Sequence, residues 1–266
     1  MKITKISKTG SKYKLVLDSG EIITTYDDVI LNNNLLFSKR IDKKLLEKIY
    51  SDNNYYQIYN KVLKLINTRL RSEYEIEEYL TKTEITAQDK QKMLENLKEI
   101  GLINDRNFAK AYTNDKINLS LDGPEKIVKN LKHMHIQDDY INEAISNIDE
   151  EIVKSHIDKI ITKKAKANTK DTITMLKQKI LNYLVNQGYS KEQAMLNLES
   201  YSFPKKDLTD EMEKIYQKQI KKKDKNFKQK LKAKLYSKGF TIEEINRFIE
   251  SKSIWRSKKW NLIYVY

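Results

Sequence analysis

Residues 183–198 read YLVNQGYSKEQAMLNL, and residues 234–249 read KLYSKGFTIEEINRFI. In both, a leucine (Leu184, Leu235) is followed four residues later by glycine and then by an aromatic. A hydroxyl residue comes next, then an acidic, amphipathic run. The two leucines are 51 residues apart, and similar steps backwards reach Leu131 and then Leu80, at spacings of 53 and 51. Five residues after each leucine stands an apolar residue: Ile85, Ile136, Tyr189 and Phe240. A fixed period of this length is the signature of stacked supersecondary units. The pattern is written four times.

Each unit reads as three helices. Ahead of the anchor lies an amphipathic segment such as YYQIYNKVLKLI, with Tyr55, Ile58, Val62 and Leu65 or Ile66 at helical spacing. The second helix carries the anchor, and the third opens at a cap. Ser190 with Gln193, and Thr241 with Glu244, have capping-box spacing. Gly188 and Gly239 stand where the second helix must end in a left-handed turn, which glycine enters without steric cost. In the first two units that slot holds Glu84 and His135, so those turns are expected to be looser or differently shaped. Asp122-Gly123-Pro124 is a turn with proline at the first position of a helix.

The first fifty residues differ. ITKI, KYKLVL and EIITTY are β-branched and aromatic runs with DSG as a turn, which predicts a small β-element. Short helices are expected through DDVILNNNLL and DKKLLEKIY. The division is therefore an N-terminal β-hairpin and short-helix element at 1–50, three-helix repeats at 51–103, 104–149, 150–203 and 204–253, and an aromatic, basic tail at 254–266. The tail could pack as a terminal cap, bind something, or reflect a shifted reading frame. The fold class is all-α apart from that first element.

Composition agrees. Six glycines and two prolines among 266 residues leave long helices uninterrupted. Zero cysteines exclude disulfides and thiolate metal sites and fit a reducing cytoplasm. The opening MKITKISKTGSKYKLVLDSG has no apolar run of the length a signal peptide or a membrane span needs, so a cytoplasmic protein without a membrane partner is expected. The net charge is +14, and residues 214–238 alone hold eleven lysines against one aspartate. Such a field attracts polyanions, of which nucleic acid is the commonest in the cytosol, although a lysine-rich helix can also be only a solvated face.

Catalytic chemistry finds little support. None of the glycines precedes the lysine-hydroxyl pair of a phosphate-binding loop, and no nucleophile elbow is visible. His133 and His135 do not share a helix face, and His156 stands alone. No catalytic residue, cofactor or metal is expected.

Three segments resemble a known family. RLRSEYEIEEYL (Arg69 to Leu80), GLINDRNFAKAY (Gly101 to Tyr112) and LDGPEKIVKNL (Leu121 to Leu131) are similar, in order, to signatures of the RecX regulatory proteins. KYKLVLDSGEIITTYDDVIL resembles their N-terminal strand region. The third segment departs from the family in having Asp122 where lysine is usual, which removes one basic contact candidate. The resemblance implies tandem three-helix repeats in an elongated, curved rod. It implies a regulator, mainly an inhibitor, of the recombinase RecA, acting on recombination, DNA repair and the SOS response. The partners would be the RecA filament and single-stranded DNA, with double-stranded DNA as a second option, bound by a monomer.

Candidates for touching RecA or nucleic acid are Arg69 and Arg71 ahead of a helix start, Lys163, Lys164 and Lys166, and the run Lys221, Lys222, Lys223, Lys228, Lys230, Lys232 and Lys234. The competing readings are a helix-turn-helix DNA-binding protein that does not act through RecA, and a scaffold. Helix–glycine turn–helix is also how a DNA reader is written, but the acidic starts at Glu192, Glu243 and Glu244 would repel phosphates.

Overall fold

The computed structural model describes residues 1–204, 207–221 and 226–261, with side chains through 252. It opens with a three-stranded antiparallel sheet in the order β1 (Ile3–Thr9), β2 (Lys12–Leu17), β3 (Ile22–Thr25). Ile3, Leu15, Leu17 and Ile23 point to one face and form a small core with helix α1 (Asp27–Asn32), Leu35, Ile41 and Ile49. The hairpin turned at DSG is β2–β3, and β1 adds a third strand on the β2 side.

Helix α2 (Lys43–Thr68) starts at Asp42, whose carboxylate accepts from Leu45 N at 2.7 Å. With no glycine or proline between residues 43 and 68, nothing stops it for 26 residues. The short helix expected over DKKLLEKIY is the first part of this one. Its far end buries Ile58, Val62 and Ile66 against α3 (Glu73–Thr81) and α4 (Ala87–Glu99).

The rest is a tandem helical array. Helix α5 (Asp105–Asp115) runs into a π-helical turn (Lys116–Ser120), then come α6 (Pro124–His133) and α7 (Asp138–Ser146). The next triplet is α8 (Glu150–Ala167), α9 (Ile173–Asn186) and α10 (Lys191–Ser200). The last is α11 (Thr209–Ile220), α12 (Phe227–Tyr236) and α13 (Ile242–Asn261). The backbone of α13 thus reaches into the tail, and residues 262–266 lie outside the described residues. Two compact units result: residues 1–113 with 130–144, and residues 114–129 with those from 145 onward.

All four anchor leucines are buried. The carbonyls of Leu131, Leu184 and Leu235 accept from the amide five residues on, Ile136, Tyr189 and Phe240, at 3.2, 3.1 and 3.3 Å. This is the hydrogen bond of a Schellman turn. The residue before each donor is left-handed: His135 at φ 55°, Gly188 at 86°, Gly239 at 82°. The turn at His135 is therefore not differently shaped, as its side chain had suggested. A non-glycine residue holds the same backbone, at a cost of about 1–2 kcal/mol. The turn after Leu80 does differ, since that carbonyl accepts from Thr83 N at 3.1 Å instead.

A second reason for glycine lies outside the turn. The amide of Gly123 donates to Gln187 O at 2.8 Å, and that of Glu125 to Gly188 O at 3.0 Å. The start of α6 thus docks on the turn that ends α9, where free donors of one helix end meet free carbonyls of another. A Cβ on Gly188 would lie 2.3 Å from Lys126 N. One joint further, Thr172 Oγ1 at the start of α9 donates to Lys238 O at 3.0 Å, and a Cβ on Gly239 would lie 2.4 Å from the Thr172 hydroxyl oxygen. In the first compact unit the corresponding place is filled by side chains: the His135 ring lies 4.8 Å from that of Tyr74 in the first turn of α3. The anchor turn of one triplet receives the second helix of the triplet before it.

Tyr189 closes the α6–α9 joint. It is fully buried, and its hydroxyl donates to Leu121 O at 2.8 Å. Burial, helped by the charge of Asp122, pushes its phenol up to about 12. A phenol raised in the folded state contributes stability below the unfolded value, about 10, that is lost as pH rises towards 12. Tyr189→Phe is expected to cost about 1 kcal/mol at pH 7 and to remove this alkaline loss. Urea unfolding at pH 7 and pH 11 checks both. Asp122 has a structural place beside it, buried and paired with Lys126 Nζ at 2.7 Å.

Candidate nucleic-acid interface

Helix α12 reads FKQKLKAKLY. Phe227, Leu231 and Leu235, spaced by four, pack with Met212, Phe240, Ile245 and Phe248, and this fixes the rotation of the helix. At 100° per residue, Lys228 and Lys232 then flank the apolar stripe on one side, and Lys230 and Lys234 on the other. All four are exposed. The sequence could not show this division, because it follows from which face is buried.

Tyr236 continues the row of Lys228 and Lys232 and is 65% exposed. It was missed as a candidate. Its signal is the four-residue step outside the leucine stripe, which sets an aromatic beside two ammonium groups. Like charges at this step weaken a helix by a few tenths of a kcal/mol per pair, so the rows are not explained by helix stability. Lys232 Nζ donates to Asn246 Oδ1 of α13 at 3.1 Å, which orients one member.

Helix α11 ends at Ile220, and Lys221 is its exposed C-cap residue, where a cation complements the helix dipole. Lys222 and Lys223 lie outside the described residues.

Lys163 and Lys166 are exposed near the end of α8. Lys164 sits over the ring of Tyr183, with its ammonium 3.5 Å from the ring centroid. That cation–π contact ties α8 to α9 and commits this lysine in part.

The arginines converge on one carboxylate. Arg69 Nη1 and Nη2 donate to the two oxygens of Glu75, at 3.0 and 2.5 Å, which raises the Arg69 guanidinium above its ordinary value. Arg71 Nη1 lies 3.7 Å from Glu75 Oε1, and its Nε donates to Leu65 O at 3.4 Å. Glu75 also accepts from Ser72 N, while Ser72 Oγ accepts from Glu75 N, completing a capping box. Arg69 stays half exposed, whereas Arg71 is folded back against α2.

These lysines and arginines can neutralise phosphates or carboxylates, and Tyr236 can stack on a base. Among the described residues no group of histidines and carboxylates could hold a metal ion, and no helix is long and apolar enough to cross a membrane.

Residues 208–249, spanning most of α11–α13, match the family model described as RecX, third three-helix domain. The chain is 31% identical over 265 residues to the regulatory protein RecX of Listeria monocytogenes serotype 4b, covering 96% of this chain and 98% of that one. It is 28% identical over 263 residues to the regulatory protein RecX of Enterococcus faecalis, covering 95% and 97%. A crystal structure of regulatory protein RecX aligns with a TM-score of 0.63 at 22% identity, over 75% of this chain and 99% of that one. RecX from Lactobacillus salivarius aligns with 0.51 at 24% identity, over 56% and 96%. With the sequence likeness running through almost the full length of both chains, and the helical repeats found in its solved neighbours, the chain belongs to the RecX family of regulatory proteins.

Proposed function

We propose that the chain regulates the RecA recombinase, mainly as an inhibitor, by binding the filament that RecA forms on single-stranded DNA. The observation behind this reading is the full-length similarity to regulatory protein RecX. The repeats are read as residues 51–103, 104–149, 150–203 and 204–253. The protein would act as a cytoplasmic monomer without catalysis of its own. A tandem array offers many weak contacts to a periodic filament, and their linkage raises overall affinity through effective concentration. The lysine rows of α12 would take phosphates, with Tyr236 available to an unpaired base. Lys163, Lys166 and Lys221 would add charge. Arg69 is the arginine whose half-exposed guanidinium could still reach a partner, while Arg71 serves the cap.

The test is ATP hydrolysis by RecA on single-stranded DNA, with increasing amounts of this protein. A progressive fall in rate as the protein is added is expected. An unchanged rate at excess protein would overturn the reading. Tight binding to one duplex sequence without RecA would instead favour a DNA reader of the helix-turn-helix kind.

A further inference from the structure

The N-terminal element holds a feature that neither the repeats nor the lysine rows account for. Helix α1 ends at Asn32, and the chain turns through residues 33–37 before joining the sheet. Leu31, Leu36 and Phe37 around this turn are 66%, 49% and 86% exposed. A lone exposed apolar side chain is common, but several grouped on one turn beside polar groups are the pattern of an interaction site.

The turn is not loose. Leu35 is fully buried beneath it, and its amide donates to Ile30 O at 3.0 Å. Asn33 is buried, with Nδ2 donating to Val29 O at 2.9 Å and to Asp52 Oδ2 at 2.7 Å. Asn34 adopts φ 54°, and its carbonyl accepts from Phe37 N and Ser38 N at 3.1 and 2.9 Å. The exit is bound as well, since Ile3 N donates to Lys39 O at 2.7 Å and Ile41 N to Met1 O at 2.9 Å. Three apolar side chains are thus held outward by a backbone with little freedom left to lose on binding.

The surroundings are cationic. Lys39, Arg40, Lys43 and Lys44 follow the turn and are exposed, and Lys2 bridges to Arg40. Of the acids beside the turn, Asp42 is engaged as the cap of α2 and Asp52 by the Asn33 amide. The acids of α1, Asp27 and Asp28, lie at its opposite end.

We propose that this knuckle is a docking site for a short acidic segment of a partner protein that carries apolar side chains. The apolar groups would pack on Leu31, Leu36 and Phe37, and the carboxylates would meet Lys39, Arg40, Lys43 and Lys44. Rigid aromatic anchors ringed by polar groups are how such sites gain affinity. Nucleic acid fits less well, because a phosphate backbone has nothing to bury Leu31 and Leu36. The inference does not rest on the RecA reading.

The test uses the full chain and a fluorescein-labelled peptide alternating glutamate with leucine and phenylalanine. Two control peptides carry lysine for glutamate, or serine for the apolar residues. The first peptide should bind, the controls should not, and Phe37→Ser or Arg40→Glu should each weaken binding about tenfold, with urea unfolding unchanged. Reversing Lys228 and Lys232 should leave peptide binding as it was, which separates this site from the α12 face. Absence of peptide binding, or binding indifferent to Phe37→Ser, would overturn the proposal. So would Phe37-dependent binding of phosphatidylserine vesicles or oligo(dT) in place of the peptide, which would assign the knuckle to a membrane or to nucleic acid.

Discussion

Changing Lys228, Lys230, Lys232 and Lys234 together to glutamate is expected to lower affinity for single-stranded DNA on the order of a hundredfold at moderate salt. Each phosphate neutralised on a single strand contributes about 0.7 to the slope of log affinity against log salt. Replacing the four by glutamine should therefore flatten that slope by up to roughly 3. All four side chains are exposed and flank the buried stripe, so the fold should survive in both variants. Relief of the like-charge pairs could raise the stability of the glutamine protein by a few tenths of a kcal/mol. Tyr236→Ala should weaken binding without changing the slope, because stacking involves no counterion. Filter binding or fluorescence anisotropy across a salt series reads all three. If the glutamine variant kept the wild-type slope, the rows would be a solvated face and the DNA would be held elsewhere.

Gly188→Ala should be strongly damaging for a single added methyl group. The left-handed backbone at φ 86° costs a side chain about 1–2 kcal/mol. The new carbon would also meet Lys126 N at 2.3 Å, backbone that can move only by opening the α6–α9 joint, and forced displacement of this kind typically costs about 1–3 kcal/mol more. A total of about 2–5 kcal/mol is expected. Gly101→Ala is the control. It shares the backbone angle, at φ 74°, but nothing lies within 4 Å of its added carbon, so only the conformational part should appear. Urea denaturation of the two variants gives the worth of the joint by difference. Equal losses would mean that the contact yields without cost and that the turn alone requires glycine.

The architecture was legible because its signals are local. The leucine period, the caps at Ser190 and Thr241, and the scarcity of breakers each act over a few residues. In the structure Ser190 Oγ accepts from Gln193 N at 3.2 Å, and Thr241 and Glu244 satisfy each other's amides. Signals that depend on distant partners were not legible. His135 enters the left-handed region beside a ring sixty-one positions earlier in the chain, Tyr74, and the sequence shows only that glycine is missing. Asp122 read as a lost cation, yet it is a buried partner of Lys126. Arg69 and Arg71 read as candidates for touching a partner, and the sequence did not show that Glu75, which closes the cap, also gathers both. The candidate lysines were visible as charge, but their division into two rows, with Tyr236 at the end of one, appears only once the buried face of α12 is known.

The joints make the repeats non-commuting. Each of the last three anchor turns is cut to the shape of the helix start that precedes it: His135 meets a tyrosine, Gly188 meets bare backbone, and Gly239 meets a threonine hydroxyl. Moving the histidine turn into the place of Gly188 would drive a side chain into the amide of Lys126, while a glycine at 135 would leave Tyr74 facing an empty notch. The three-helix segments are alike enough to align, yet each holds a mould of its neighbour. Their order along the chain is therefore written in the contacts, and a reshuffled polypeptide of identical composition and identical helices would have nowhere to seat them.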